Sequence, residues 1–317
     1  MASLNSHADD LAGFWQGEIL WDSPMSRFSS LKVGGPAEAI LFAKSLAELK
    51  KLIGWLHEND ICWRVIGRGS NILVSDNGLP GVVIFLAGEF AGFETLDSSA
   101  LSGDRDAVKI RAGGGCLLPK LVHHCITSGL AGLEFAVGIP GSVGGAVVMN
   151  AGGWDHEIGE LIDSAVVMDN NGVISTVRQE DLGLTYRQWG MAPETILLSA
   201  TFLLAKGDPQ IIEAESRRYQ QSRKQKQPLG LASAGSFFKN PPGQPAGRLI
   251  EEVGLKGYRI GDAMISEQHA NFIVNTGKAS ASDIISLMQE AQAKVFERFG
   301  IKLEPEVHIL GIKENRA

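Results

Sequence analysis

The sequence lacks the features that mark secreted, membrane-spanning and zinc-binding proteins. Only three cysteines occur, Cys62, Cys116 and Cys125, and their odd number without CxxC spacing argues against a disulfide framework or a zinc site. No stretch of 18 apolar residues occurs, so we expect no transmembrane helix. The N-terminus lacks a basic region followed by an apolar one, so we expect no signal peptide and a cytoplasmic protein.

Positive charge is also scarce. The chain has 29 Lys and Arg residues against 36 Asp and Glu residues, for a formal net charge of −7. A net acidic chain is a poor general binder of nucleic acid or of an anionic membrane, although a local basic pocket for a small anion remains compatible with it. With 44% hydrophobic and 21% charged residues the composition is that of a globular protein, and 317 residues predict roughly two domains.

Several catalytic motifs are absent as well. The sequence has no HExxH, no EF-hand loop and no Gly-x-Ser-x-Gly, so neither a metallohydrolase nor a serine hydrolase is supported. It also has no phosphate-binding P-loop and no G-x-G-x-x-G, which argues against a Rossmann dinucleotide site.

The hydrophobic pattern alternates short strands with a few helices. Ser45 and Glu48 form a capping box that predicts a helix over 46–58, and Gly129 and Gly300 are expected to end two further helices, the second capped near Ser280. Asn171-Gly172 predicts the turn of a hairpin over 165–177. Further strands are predicted at 37–43, 63–67, 71–76, 81–86, 108–115, 196–205, 265–277 and 304–311.

These elements predict three regions along the chain. Residues 1–25 form an N-terminal arm, either a short helix packed on the body or a frayed end. Residues 26–205 form one domain of two subdomains, which divide near residue 86. A polar stretch begins at residue 206 and opens a small α+β domain over 206–317, with a helix that turns Ile211 and Ile212 inward.

Glycine is abundant, with 38 residues that cluster in the segments 67–71, 112–116 and 138–153. Glycine allows close backbone approach, so successive N–H groups can point at one anion. Each cluster alone is more often a tight turn. Three together in one β-rich region predict a cradle for a diphosphate.

Three further residues stand out in short motifs: Arg187 in TYRQW, Ser236 in AGSFFKNPPG and Glu306 in LEPEVHILG. Each has an ordinary interpretation alone, as a surface ion-pair partner, a turn cap and a solvated charge. A functional role for these residues gains support only when the three are considered together.

The combined pattern resembles the UDP-N-acetylenolpyruvoylglucosamine reductase (MurB) family from about Arg27 to Gly311. The motifs that carry it are GGPA, GRGSNILVSD, GLEFAVGIPGSVGGAVVMNAG, YR, AGSFFKNP and EPEVHILG. The resemblance implies an α+β protein, with a two-part FAD-binding domain of the vanillyl-alcohol-oxidase (PCMH) type followed by the small substrate domain. The spacings resemble the shorter subclass, which lacks a lid segment. His308 stands where the family often has arginine, which puts in doubt any ion pair of that arginine.

The resemblance also implies a reaction in peptidoglycan synthesis, and with it a role in cell-wall biogenesis, cell shape and cell division. NADPH reduces non-covalently bound FAD, which then reduces the enolpyruvyl ether of UDP-N-acetylglucosamine to UDP-N-acetylmuramate. Arg187 is expected to stabilise charge on the substrate carboxylate, Ser236 to protonate the α-carbon, and Glu306 to assist either protonated or through its partners. The oligomeric state stays open.

The remaining site residues follow from the resemblance position by position. Lys226 and Asn240 match positions that hold the substrate diphosphate. Contacts to FAD are expected at Gly67, Arg68, Gly69, Ser70, Asn71, Gly138, Gly141, Ser142, Gly144 and Gly145.

Two other functions stay in competition. One is a different flavoprotein of the same fold, such as an oxidase, which would lack the ordered set of Arg187, Ser236 and Glu306. The other is a nucleotide-sugar binder that has lost the flavin, which purified yellow protein would exclude.

Overall fold

A computed structural model describes residues 4–96 and 107–312, and these residues form two compact units. The first unit consists of the described residues within 1–19, 41–67 and 83–223, and the second of those within 20–40, 68–82 and 224–317. The chain therefore passes between the units several times. Mixed helices and strands in both units confirm the predicted α+β class, whereas the predicted domain boundaries stay a prediction.

The described residues form seven α-helices and eighteen short or medium strands. The helices are α1 (Ala8–Phe14), α2 (Leu46–Glu58), α3 (Leu118–Thr127), α4 (Val143–Val148), α5 (Pro209–Lys226), α6 (Ala246–Glu252) and α7 (Ala281–Phe299). The strands are β1 (Ile19–Pro24), β2 (Pro36–Ala43), β3 (Trp63–Val65), β4 (Ile72–Val74), β5 (Leu79–Leu86), β6 (Phe93–Leu96), β7 (Ala107–Gly113), β8 (Leu130–Ala131), β9 (Gly152–Gly153), β10 (His156–Glu157), β11 (Ile162–Met168), β12 (Ile174–Arg178), β13 (Ile196–Lys206), β14 (Ala232–Ser236), β15 (Arg259–Ile260), β16 (Ala263–Ile265), β17 (Phe272–Asn275) and β18 (His308–Leu310).

An antiparallel sheet is the centre of the first unit. Its strand order is β12-β11-β13-β7-β6, with β8 added to one end of β13. The long apolar strand β13 lies in the middle, where it pairs with β11 on one side and with β7 on the other and is mostly buried. Side chains of the sheet pack with those of α3 and α4 in a core that includes Ile110, Leu121, Val147 and Phe202. This core supports the glycine segments that follow β7 and precede α4.

The second unit has its own core around α7. A four-stranded sheet of order β14-β17-β16-β15 packs with α6 and α7, and the parallel pair β4 and β18 lies in the same unit. Phe237, Phe238 and Leu287 are fully or almost fully buried there. A further sheet of order β1-β2-β5-β3 has central strands that contribute residues to both units.

Local capping signals predicted α2 and α7 well, whereas α4 and α6 were not predicted. Helix α2 covers 46–58 as expected, and the Ser45–Glu48 capping box is formed in both directions. Helix α7 begins after Ser280 and ends at Gly300, whose backbone is left-handed with φ of 68°. A side chain that caps its own backbone acts over three residues, so such helix ends need no tertiary information.

Four details of the prediction were incomplete or wrong. Ile211 is 66% exposed and only Ile212 is buried, because adjacent helical residues point about 100° apart. The single strand predicted over 265–277 is two strands, β16 and β17, joined by a turn. The hairpin is present, but its turn runs from Asp169 to Val173 and is longer than the predicted Asn171-Gly172 turn. Gly172 is the residue of this turn that has a positive φ. The N-terminal arm is packed, with Leu11 buried in α1, and it continues into an unpredicted strand, β1.

Candidate active site

The glycine segments meet in the first unit. The N–H of Gly144 donates to the carbonyl of Gly114 over 2.8 Å, and the N–H of Val143 donates to the carbonyl of Cys116 over 2.8 Å. A Cβ atom built on Gly67 would lie 2.5 Å from the Ser142 hydroxyl. Gly67, the segment after β7 and the start of α4 therefore form one surface that is largely free of side chains.

These glycines differ in what requires them. A Cβ atom on Gly144 would lie 2.8 Å from the carbonyl oxygen of Gly114, so this glycine is needed for the packing of the protein itself. Gly145 is exposed, and a Cβ atom there would meet only the Ser142 hydroxyl, at 3.6 Å. An exposed glycine in a helix costs roughly 0.5–1 kcal/mol relative to alanine. A group outside the protein that approaches the backbone at Gly145 would explain this cost, and a flavin nucleotide fits such a surface.

Arg187 lies in a tight turn of the first unit. Thr185 and Gln188 exchange two backbone hydrogen bonds around it, and its own φ is 59°, which is unusual for a residue with a side chain. Its Nη2 donates to the carbonyl of Gly152 over 3.2 Å, and its Nη1 lies 3.7 Å from a carboxylate oxygen of Glu157. The turn thus holds a mostly buried guanidinium in a defined orientation.

A second guanidinium, that of Arg223, lies close to Arg187. It stacks over the Trp154 ring at 4.5 Å and donates to the carbonyl of Phe135, while its buried Nε has no hydrogen-bond partner among the described residues. Burial, together with the charge of Arg187, lowers the pKa of Arg223 to about 10. Two neighbouring cations favour an anion between or beside them. Arg223 was not predicted, and its only signal in the sequence is its place in the polar stretch that begins at residue 206.

Ser236 lies in a bulge of the second unit. Four residues of β14, Ser233 to Ser236, lie opposite three residues of β17, Val274 to Phe272. Gly235 takes up the extra residue with φ of 77°. A bulge of this kind changes the direction of the next side chain, which here is Ser236.

The backbone of Glu306 pairs with the residue after Ser236. The N–H of Glu306 donates to the carbonyl of Phe237 over 2.8 Å, and Asn71 donates from its amide to the carbonyl of Glu306 over 3.1 Å. The N–H of His308 in turn donates to the carbonyl of Asn71. The structure thus brings Ser236, Glu306 and Asn71 of the predicted set together in one unit.

His308 does not replace the expected arginine in charge. Desolvation of the ring and the positive charge of Lys239 lower the pKa of His308 from its ordinary value of 6.5. The neutral ring is therefore favoured at pH 7, whereas an arginine would carry a permanent charge.

The other predicted residues of the second unit have identifiable surroundings. Gly69 accepts a backbone hydrogen bond from Ser30, within the segment that also holds Arg68 and Ser70. Lys226 ends α5, and the side-chain oxygen of Asn240 accepts from the N–H of Ala246 at the start of α6. Asn240 therefore has at least a capping function, and its predicted contact with a diphosphate stays a prediction.

The predicted catalytic residues belong to different units. Arg187 lies in the first, with Gly67, Gly138, Gly141, Ser142, Gly144 and Gly145, and Ser236 and Glu306 lie in the second. Sequence reasoning also missed Asn150 and Glu157, which contact Arg187 or its partners. Asn150 was visible as part of the third glycine motif, but nothing in the sequence related it to Arg187.

Comparison with known proteins gives consistent matches over nearly the whole chain. Residues 227–310 match a model of the UDP-N-acetylenolpyruvoylglucosamine reductase C-terminal domain, and residues 37–178 match a model of an FAD-binding domain. UDP-N-acetylenolpyruvoylglucosamine reductases of Syntrophus aciditrophicus and Caldicellulosiruptor saccharolyticus are 42% and 43% identical, covering 93% of this chain and 93% and 92% of theirs. The crystal structure of the Thermus caldophilus enzyme superposes with a TM-score of 0.77 at 39% identity, covering 92% of this chain and 98% of that one.

Proposed function

Because the chain belongs to the UDP-N-acetylenolpyruvoylglucosamine reductase family, we propose that Arg187, Ser236 and Glu306 carry the catalysis of its reaction. The chain is an oxidoreductase that reduces UDP-N-acetyl-3-O-(1-carboxyvinyl)-glucosamine to UDP-N-acetylmuramate in peptidoglycan precursor synthesis. It is a flavoprotein with an FAD-binding domain. We infer that this domain is of the vanillyl-alcohol-oxidase type. When bound, FAD would supply the hydride chemistry that connects NADPH with the β-carbon of the enolpyruvyl group.

The chain's own residues must hold FAD without covalent attachment. We assign this role to the surface of Gly67, the segment after β7 and the start of α4. The residues assigned to it are Gly67, Gly138, Gly141, Ser142, Gly144 and Gly145, with Arg68, Gly69, Ser70 and Asn71 in the motif that contains Gly67. The exposed Gly145 supports this assignment because the protein's own packing does not require a glycine there. Backbone N–H groups in such a surface can donate to phosphate oxygens.

Arg187 is suited to the carboxylate of the substrate. Negative charge grows on the α-carbon and the adjacent carboxylate as hydride reaches the β-carbon. A guanidinium binds a carboxylate with two parallel hydrogen bonds and stays protonated. The neighbouring Arg223, which has a buried Nε without a partner and a pKa lowered by burial and by Arg187, gives the first unit a second group that an anion would stabilise.

Ser236 and Glu306 complete the assignment in the second unit. The observation that carries the proposal is the hydrogen bond from the N–H of Glu306 to the carbonyl of Phe237, the residue after Ser236. It connects two segments whose proposed catalytic residues are 70 positions apart in the sequence. The Ser236 hydroxyl donates a proton to the α-carbon, and Glu306 assists at the same carbon. Lys226 and Asn240 would hold the diphosphate of the substrate.

The remaining assignments concern the chain as a whole. We infer that residues 26–205 bind FAD and that residues 206–317 bind the UDP-sugar. No helix of the described residues is long and apolar enough to cross a membrane. Three cysteines that form no disulfide agree with a reducing compartment, and we infer that the enzyme works in the cytoplasm and supports cell shape and division through the cell wall.

Anaerobic reduction in two steps tests this function. Purified protein should be yellow, NADPH should bleach it, and the enolpyruvyl substrate should then restore the colour with formation of UDP-N-acetylmuramate. Restoration of colour by oxygen but not by the substrate would instead indicate an oxidase of the same fold. Colourless protein that binds the UDP-sugar would indicate a binding protein.

A further inference from the structure

A carboxylate lies beside the guanidinium that should bind the substrate's carboxylate. Glu157 Oε1 is 3.7 Å from Arg187 Nη1, and the two side chains are 29% and 15% exposed. This separation is too long for the paired hydrogen bonds of a tight Arg–carboxylate contact. Glu157 therefore offsets positive charge without occupying the guanidinium in the way that a bound ligand would.

Asn150 holds Glu157 in this position. The Asn150 amide donates to Glu157 Oε2 over 2.6 Å and to the carbonyl of Thr185 over 3.1 Å, and its oxygen accepts from the N–H of Gly159. Asn150 is 3% exposed, and both the amide nitrogen and the oxygen of its side chain have hydrogen-bond partners, as buried polar groups usually do. One amide thus links the end of α4, the Glu157 strand and the turn that contains Arg187.

Backbone strain is concentrated in the same network. Among the described residues, those with positive φ other than glycine include Asn150, Trp154, Asp155 and Arg187. Trp154 and Asp155 form the tight turn between β9 and β10, which pairs Glu157 with Gly152. Such conformations cost about 1–3 kcal/mol each and persist where the surrounding structure requires them. Here they bring Glu157 opposite Gly152, whose carbonyl also accepts from Arg187.

We propose that Glu157, held by Asn150, is a positioning residue for Arg187 in the reduction of the substrate. This proposal rests on the proposed catalytic role of Arg187. Arg187 and Arg223 are neighbouring cations that repel each other. The negative charge of Glu157, which pairs with Gly152 in the strand, counteracts this repulsion. Without it the Arg187 guanidinium would turn away from Arg223, and a misplacement of about 1 Å in such a group can lower turnover by about 10²-fold.

Glu157→Gln removes the charge and keeps an oxygen that can accept from Asn150. We expect kcat to fall by about 10–100-fold, with KM changed less than about threefold, because the loss lies in orientation. Glu157→Asp keeps the charge and should recover part of the turnover. Glu160→Gln is the matched control, since this neighbouring carboxylate contacts His156 and not Arg187. FAD content and thermal unfolding of every variant show whether the fold is kept.

A double-mutant cycle separates this proposal from the role of Arg187. Single-turnover reoxidation should be slow in Arg187→Ala, and adding Glu157→Gln to that variant should cause little further loss. Independent, additive losses would overturn the positioning role and leave that of Arg187 intact. Wild-type turnover in Glu157→Gln, or equal loss in the Gln and Asp variants, would overturn it as well. Wild-type turnover in Arg187→Ala would instead reject the proposed function.

Discussion

Arg187 combines a permanent charge, a strained backbone and a mostly buried guanidinium within a two-residue turn. Such a residue is costly to fold, and the cost is understandable if the orientation of its donors matters. Ser236 follows a glycine bulge in the other unit, where the backbone rather than a side-chain partner sets its direction. Both assignments predict that substitution affects reoxidation of the flavin by the substrate differently from its reduction by NADPH.

Arg187→Lys should not be conservative. Lysine keeps the charge but loses the planar pair of donors that meets a carboxylate. Loss of one preorganised donor at a developing anion typically lowers turnover by ~10²–10³-fold, or about 3–4 kcal/mol. Rapid mixing of reduced enzyme with substrate measures this step. A wild-type rate of reoxidation with weaker substrate binding would make Arg187 a binding residue only.

Ser236→Ala should separate the half-reactions. The hydroxyl is needed only when the α-carbon receives its proton, so NADPH should still bleach the flavin at the wild-type rate. Reoxidation by the enolpyruvyl substrate should slow by about 10²–10⁴-fold, the usual scale of general acid catalysis. Stopped-flow absorbance follows both steps in the same sample. If both slow equally, Ser236 acts in positioning and not in proton transfer.

Helix α4 shows how an element can be shaped for a ligand instead of for its own stability. It is only six residues long, and two of its first three residues are glycines. Gly144 is required by the packing against Gly114, but Gly145 has room for a side chain. The packing of the protein itself requires Gly144, whereas only the proposed contact with FAD explains Gly145.

Gly145→Ala tests that assignment against Gly54→Ala. Gly54 is an exposed glycine inside α2, and a Cβ atom there would meet nothing within 4 Å. Both substitutions should preserve the apoprotein or stabilise it by about 0.5–1 kcal/mol. Only Gly145→Ala should lower the affinity for FAD, by about tenfold or more, because its methyl group would lie where the flavin nucleotide approaches. Titration of FAD fluorescence measures the affinity, and equal affinities in the two variants would contradict the proposed contact.

The described residues form two hydrophobic cores, and the buried thiols belong to the core of the first unit. Cys116 and Cys125 are fully buried with the side chains of the six-stranded sheet and α3. Burial, aided by the charge of Glu134, raises the pKa of Cys125 from 9.0 to about 12. In the native protein this thiol is therefore neutral at alkaline pH values where an unfolded chain would ionise it.

This difference predicts a loss of stability at alkaline pH. The folded pKa of Cys125 is above the unfolded value, so the stabilisation is complete below about pH 9 and is lost as pH rises toward 12. A single such group contributes a slope of about 1.4 kcal/mol per pH unit in that interval. Urea unfolding between pH 8 and about 10.5 measures the free energy of unfolding, which should fall less steeply with pH in Cys125→Ala than in the wild-type protein. Identical slopes would mean that Cys125 ionises normally in the native state.

Features that depend on interactions within a few residues could be predicted from the sequence alone. The capping boxes at Ser45 and Ser280 set two helix starts, the apolar run 196–205 predicted the central strand β13, and the glycine motifs with Arg187, Ser236 and Glu306 indicated the family. Tertiary structure decided the rest, because it joins residues far apart in the chain. It paired Glu306 with Phe237, brought Arg223 and Glu157 to Arg187, and buried Ile212 while leaving Ile211 in solvent. Local propensity cannot specify such contacts, since each depends on which surfaces the packed cores place together.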